Sequence, residues 1–192
     1  MAPTIDRRRL RPLGLVAFAC VAAHGVAQGL DGRPHELLWT CHVAALIVAF
    51  GLTLGSARVN GVGVLLLLGL GVPLWLLDLA TGGTLTPTSF ASHVGGLTLG
   101  LVGVRALDLP RGTWRWSIAT LAGIVALSRL VTPPAANVNL AFAIHPGWEP
   151  LFPSHGAYLR VLGLTAAASV WALELVLRRL VAPAPAAADV RP

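Results

Sequence analysis

The sequence predicts an all-α membrane protein, a single polytopic bundle of about six transmembrane helices, and three observations carry that prediction. Of 192 residues, 55% are hydrophobic and only 11% charged, with a mean hydropathy of +0.74. Apolar runs long enough to cross a bilayer as helices recur along the chain, separated by short segments rich in glycine, proline and arginine. The basic residues gather at the ends of those runs rather than on one face. A pI of 11.2 and a formal charge of +6 would suit a nucleic-acid partner, but arginines at helix ends are the mark of membrane topology, so no nucleic acid is expected. There is no lysine, and the dominance of Ala, Leu, Gly, Val and Arg fits a GC-rich bacterial genome.

The first helix, 13–30, follows Arg7, Arg8, Arg9 and Arg11. A basic start, an apolar middle and Gly25-Val26-Ala27 resemble a signal peptide, but His24 inside the apolar run points to a retained helix. The second helix, 37–55, opens on Leu37-Leu38-Trp39-Thr40-Cys41-His42, and the third, 61–79, carries Pro73 as a kink and Asp78 near its end. A Thr/Gly/Pro turn leads to the fourth, 89–106, with His93. Gly51-Leu52-Thr53-Leu54-Gly55 and Gly96-Leu97-Thr98-Leu99-Gly100 are one pentapeptide used twice, at a spacing suited to close helix approach in a weak parallel repeat. The fifth helix is 117–131, anchored by Arg111, Trp114, Arg115 and Trp116, and the sixth is 157–177. Between them a loop with Pro133, Pro134, Pro146, Pro150 and Pro153 is long enough to be functional, and Leu140 to Ile144 with Trp148 suggest that it packs or partly re-enters the membrane. The domain is expected to cover 1–180, with a disordered Pro/Ala tail at 181–192.

In this six-helix scheme Arg33 alone among the loop arginines falls on the outer side, so both termini are expected in the cytoplasm of a bacterium, with the protein multi-pass in its inner membrane. The scarce polar residues then collect at the outer end: His24, Cys41, His42, Asp78, His93, Arg129 and Arg160 in helices, and Asn137, Asn139, His145, Glu149 and His155 in the long loop. Ionisable groups are costly at membrane depth and are sited where they act. Cys41 lies about one turn inside the second helix, where free N–H groups and the helix dipole favour a thiolate. His93 lies at similar depth and can serve as its base, with Asp78 orienting the ring. His42 projects about 100° away from Cys41, so it takes a supporting place rather than that of base. Arg160 and His24 are candidates for contacting substrate, Arg160 through a lipid phosphate. A metal site from His24, His42, His93 and Asp78 is conceivable, but no close-spaced ligand motif such as HExxH or CxxC supports it, and none is assigned. The two cysteines are expected at different depths and unpaired.

The ordered set Cys41, Thr86-Pro87, His93 and Asn139-Leu140-Ala141-Phe142 ahead of Pro146 resembles the YwaF-type family of bacterial integral membrane proteins. That family is similar to the eukaryotic transmembrane cysteine acyltransferases of ether-phospholipid remodelling. The resemblance runs from Leu37 to about Leu177; the approach to Cys41 lacks the family's proline, and Leu140 stands where the family has an aromatic residue. It implies that Cys41 attacks a phospholipid ester with His93 as base, Asn139 supporting, and that an acyl-thioester passes to a lysolipid hydroxyl or to water. Membrane phospholipids would be the partners and no cofactor would be required. The expected function is therefore a lipid acyltransferase or lipid hydrolase; the alternative is a small transporter or lipid-binding membrane protein in which Cys41 only packs.

Overall fold

The computed structural model describes residues 10–181, so Arg7 to Arg9 and the Pro/Ala tail beyond 181 lie outside it. The described chain is helical, without strands. Six helices form it: α1 (Leu10–Leu30), α2 (Thr40–Leu54), α3 (Ala57–Ala80), α4 (Pro87–Leu107), α5 (Thr113–Val131) and α6 (His155–Val181). Four of the described helices, α1, α3, α4 and α6, are long and apolar enough to cross a membrane. This corrects the expectation of six. α2 has 15 residues, roughly 22 Å at 1.5 Å per residue, short of a hydrocarbon core of about 30 Å. It starts late because Pro34–Leu38 forms a 3₁₀ turn in place of its first turn. It stops at Gly55, whose φ of 63° makes the left-handed cap, with Ser56 N–H donating to Gly51 O at 2.8 Å. α5 has 19 residues, but Thr113, Arg115, Ser117, Thr120, Ser128 and Arg129 keep it less apolar.

α2 is the axis of the bundle and packs against α1, α3 and α4. Ala44, Ala45, Val48 and Leu52 are fully buried against Val64, Leu65, Leu66 and Leu67. Glycines let the backbones meet: a Cβ on Gly63 would sit 2.7 Å from the Ala44 carbonyl oxygen, and one on Gly100 would sit 2.6 Å from Val64 Cγ2. The repeated pentapeptide therefore splits in use. Gly100 is a mid-helix contact of α4, whereas Gly55 ends α2. Large apolar side chains face outward along the helices, among them Leu15, Leu30, Leu54, Leu164 and Leu180. Such a surface suits lipid rather than water.

Two helix starts are closed by side chains from far along the chain. The Glu174 carboxylate, 4% exposed on α6, accepts from Gly112 N–H through Oε1 and from Trp114 N–H through Oε2, both at 2.8 Å, and so caps α5. Asn139 caps α2 in the same manner from the long loop. That loop is packed: Val138 and Ala141 are fully buried, and Arg129 reaches across to the Ala141 carbonyl at 3.0 Å.

Candidate functional site

At the end of the bundle where α1 finishes and α2 and α4 begin, four of the residues singled out from the sequence come together. His24 projects from α1, Cys41 and His42 from the first turn of α2, and His93 from α4; the three histidines are buried and Cys41 partly so. Ring centroids are separated by 4.6 Å for His24 and His42, 5.4 Å for His42 and His93, and 6.5 Å for His24 and His93. Cys41 Sγ, one ring nitrogen of His42 and one of His93 all lie within 4.8 Å of one another. His42 therefore shares the site with Cys41 although the two residues are neighbours on one helix. The 100° between neighbouring residues holds at Cβ, and the length of the imidazole offsets that divergence.

The hydrogen bonds fix which nitrogens are free. His42 Nδ1 is 2.8 Å from the Glu36 carbonyl, and His93 Nδ1 is 2.8 Å from the Ser89 carbonyl. A carbonyl only accepts, so in each neutral ring Nδ1 carries the proton and Nε2 keeps its lone pair. His93 Nε2 is buried and has no hydrogen-bond partner among the described residues. His24 differs, since Nδ1 faces Thr88 Oγ1 at 3.2 Å and Nε2 faces the Gln28 amide nitrogen at 3.4 Å.

Local sequence explains how these side chains are held. Thr86 caps α4, its hydroxyl accepting from Ser89 N–H at 3.1 Å, and Pro87 at the first helical position needs no N–H partner. Ser89 then serves twice: its carbonyl takes His93 Nδ1, and its hydroxyl accepts from Trp75 Nε1 at 2.8 Å. Trp75 on α3 lies flat on His93, 4.7 Å between centroids and 9° between planes. Both helices widen here into π turns, at Leu67–Gly71 in α3 and at Ala91–Gly95 in α4, the second containing His93 itself. π turns inside α-helices cluster at functional sites. In α3 the cause is visible, because Pro73 has no N–H to offer the Gly69 carbonyl one turn back. Gly71 then lies on Cys41; a Cβ there would be 3.1 Å from Cys41 Cβ.

Asn139 sets the height of Cys41. Its Oδ1 accepts from both Thr40 N–H and Thr40 Oγ1 at 2.8 Å, and its Nδ2 donates to the Leu38 carbonyl and to Ser128 Oγ. Positive φ at Asn137, Asn139 and Leu140 turns the loop so that this amide faces the start of α2. Two sequence candidates make no side-chain hydrogen bond to the cluster. Asp78 is exposed at the end of α3, where its backbone carbonyl takes Thr81 and Gly83 N–H, and the partner of His93 Nδ1 is Ser89 in its place. Arg160 is exposed on α6, which packs chiefly on α5 and α3. Both cysteines are unpaired. Trp75, Ser89 and Gly71 were not singled out from the sequence, although Pro73 marked the distortion beside them.

Comparison with family models, with curated proteins and with solved structures finds no match to the chain. The functional reading therefore rests on the site itself.

Proposed function

We propose that the protein is a membrane lipid acyltransferase or lipid hydrolase that works through an acyl-thioester on Cys41, with His93 as general base. The observation that carries this reading is the meeting of the Cys41 sulfur with a buried imidazole whose Nε2 lone pair is unused. In the first half-reaction Nε2 of His93 takes the thiol proton and Sγ bonds to the carbonyl carbon of a lipid ester. The tetrahedral intermediate then breaks its C–O bond, and the departing lysolipid oxygen takes the proton back from His93. In the second half-reaction a lysolipid hydroxyl or water gives its proton to Nε2 and attacks the thioester; the C–S bond breaks and the thiol is restored. Cys41 stands in the first turn of α2, where Asn139 takes the Thr40 N–H and the Trp39 carbonyl takes those of His42 and Val43, which leaves the Cys41 N–H as the donor for a developing oxyanion. The resemblance to the YwaF-type family adds support, since Thr86-Pro87 and Asn139 are the residues that cap α4 and α2 beside the site. The arginines at the opposite helix ends support an orientation with the site toward the outer face of the membrane and both termini cytoplasmic.

The test is the intact mass of detergent-purified protein after incubation with mixed phospholipids and lysolipids, with and without neutral hydroxylamine. An acyl adduct that hydroxylamine removes, and that Cys41→Ala lacks, is the expected result. Unmodified protein with unchanged lipids would overturn it and leave the transporter or lipid-binding reading.

A further inference from the structure

We propose that Cys41, His42 and His93 form a binding site for a zinc-class divalent ion, and that an ion bound there silences the thiol chemistry by occupying both nucleophile and base. The binding half stands on the geometry alone; the silencing half rests on the acyl-thioester reading. Three donors, one thiol and two imidazoles, lie within 4.8 Å of one another. Zinc bonds of about 2.0 Å to nitrogen and 2.3 Å to sulfur place tetrahedral ligands roughly 3.3 to 3.5 Å apart, so side-chain rotations that bring the donors closer by about 1.5 Å at most close the set. Both rings already carry the outer contact that metal-bound histidines use, an Nδ1–H donated to a backbone carbonyl, here of Glu36 and of Ser89. With Nδ1 so engaged, Nε2 is the nitrogen that each ring has left for a metal.

The unpartnered Nε2 of His93 is the second, independent sign. A buried polar atom with no partner forfeits its hydration without return, and native structures hold few of them. Trp75 covers the ring face, and Ser89 already takes Nδ1. A cation is the partner that fits a lone pair among two other lone-pair donors. The donor set also selects the ion, because thiolate and imidazole suit zinc, cobalt or copper and not the oxygen-seeking magnesium or calcium. His24 lies beside the set, its ring 4.6 Å from that of His42.

The experiment uses full-length protein in detergent micelles, purified through a tag without histidine and washed with chelator, then titrated with Co²⁺ as a spectroscopic probe. One equivalent should bind with ligand-field bands of a tetrahedral site and a thiolate-to-cobalt charge-transfer band, and Zn²⁺ should displace it. Cys41→Ser should abolish the charge-transfer band. His42→Gln and His93→Gln should each weaken binding at least about tenfold while circular dichroism and elution volume stay those of the parent. No charge-transfer band in the folded parent, or one that persists in Cys41→Ser, overturns the site. Acyl-adduct formation with and without Zn²⁺ separates this inference from the function on which half of it rests. Cobalt binding without any adduct keeps the ion site and removes the acyl reading and with it the silencing; an adduct that Zn²⁺ leaves unchanged removes the silencing alone.

Discussion

The two ends of the bundle hold polar groups on opposite terms. At the arginine-rich end Glu174 buries a carboxylate, and both of its oxygens are used on the α5 start. At the histidine end three rings and a thiol crowd together with one nitrogen left over. Four buried side-chain atoms lack partners among the described residues, and three of them, on Gln28, Ser92 and His93, belong to the histidine end. Each end also closes a helix start from a distance, with Asn139 serving α2 as Glu174 serves α5. The difference lies in what the cap supports. Glu174 finishes a structure, whereas Asn139 presents a thiol.

Substitutions can sharpen that contrast, each measured by thermal unfolding in micelles and by the alkylation rate of Cys41 in a Cys20→Ser background. Glu174→Ala should have the largest effect on folding, a loss of about 3 kcal/mol, because two amide donors at a helix start lose their acceptors. Alkylation of the folded fraction should be unchanged; a faster rate at equal folding would mean that the two ends are coupled. Asn139→Ala should cost about 2 kcal/mol and also alter alkylation several-fold, since the start of α2 loses the amide that holds Thr40. Stability loss with an unchanged rate would reduce Asn139 to a loop staple. Gly71→Ala should cost about 1 kcal/mol, because its methyl group meets Cys41 at 3.1 Å, and its main effect should be on the thiol. An unchanged alkylation rate there would show that α3 yields without moving Cys41.

Much of the fold was legible in composition, because apolar runs of this length with arginine at their ends suit a bilayer and little else. Span number was harder to read. Hydropathy joined 37–39 to α2, whereas Pro34 and the 3₁₀ turn after it hold those residues outside the helix. The meeting of Cys41 and His93 followed from equal depth in two helices of the same direction. The nearness of His42 to the same sulfur did not, since rules for neighbouring residues describe Cβ directions and not the reach of a ring. Nor could the Ser89 carbonyl be found in place of Asp78, because backbone acceptors leave no trace in residue identity. Glu174 showed the same gap, being an isolated acidic residue in sequence and a cap only in three dimensions.

The π turn at Ala91–Gly95 has a consequence for how this site can change. It amounts to one residue inserted into an otherwise regular helix, and one residue is about 100° of rotation. Beyond it, Gly96, Gly100 and Gly103 seat α4 against α2 and α3; within it, His93 is aimed at the thiol. Packing and aim are thus set by separate stretches of a single helix. Loss of one residue between them would swing the imidazole around the axis while the glycine seat stayed in place, so the site can be re-pointed by chain length with no change in its chemical groups.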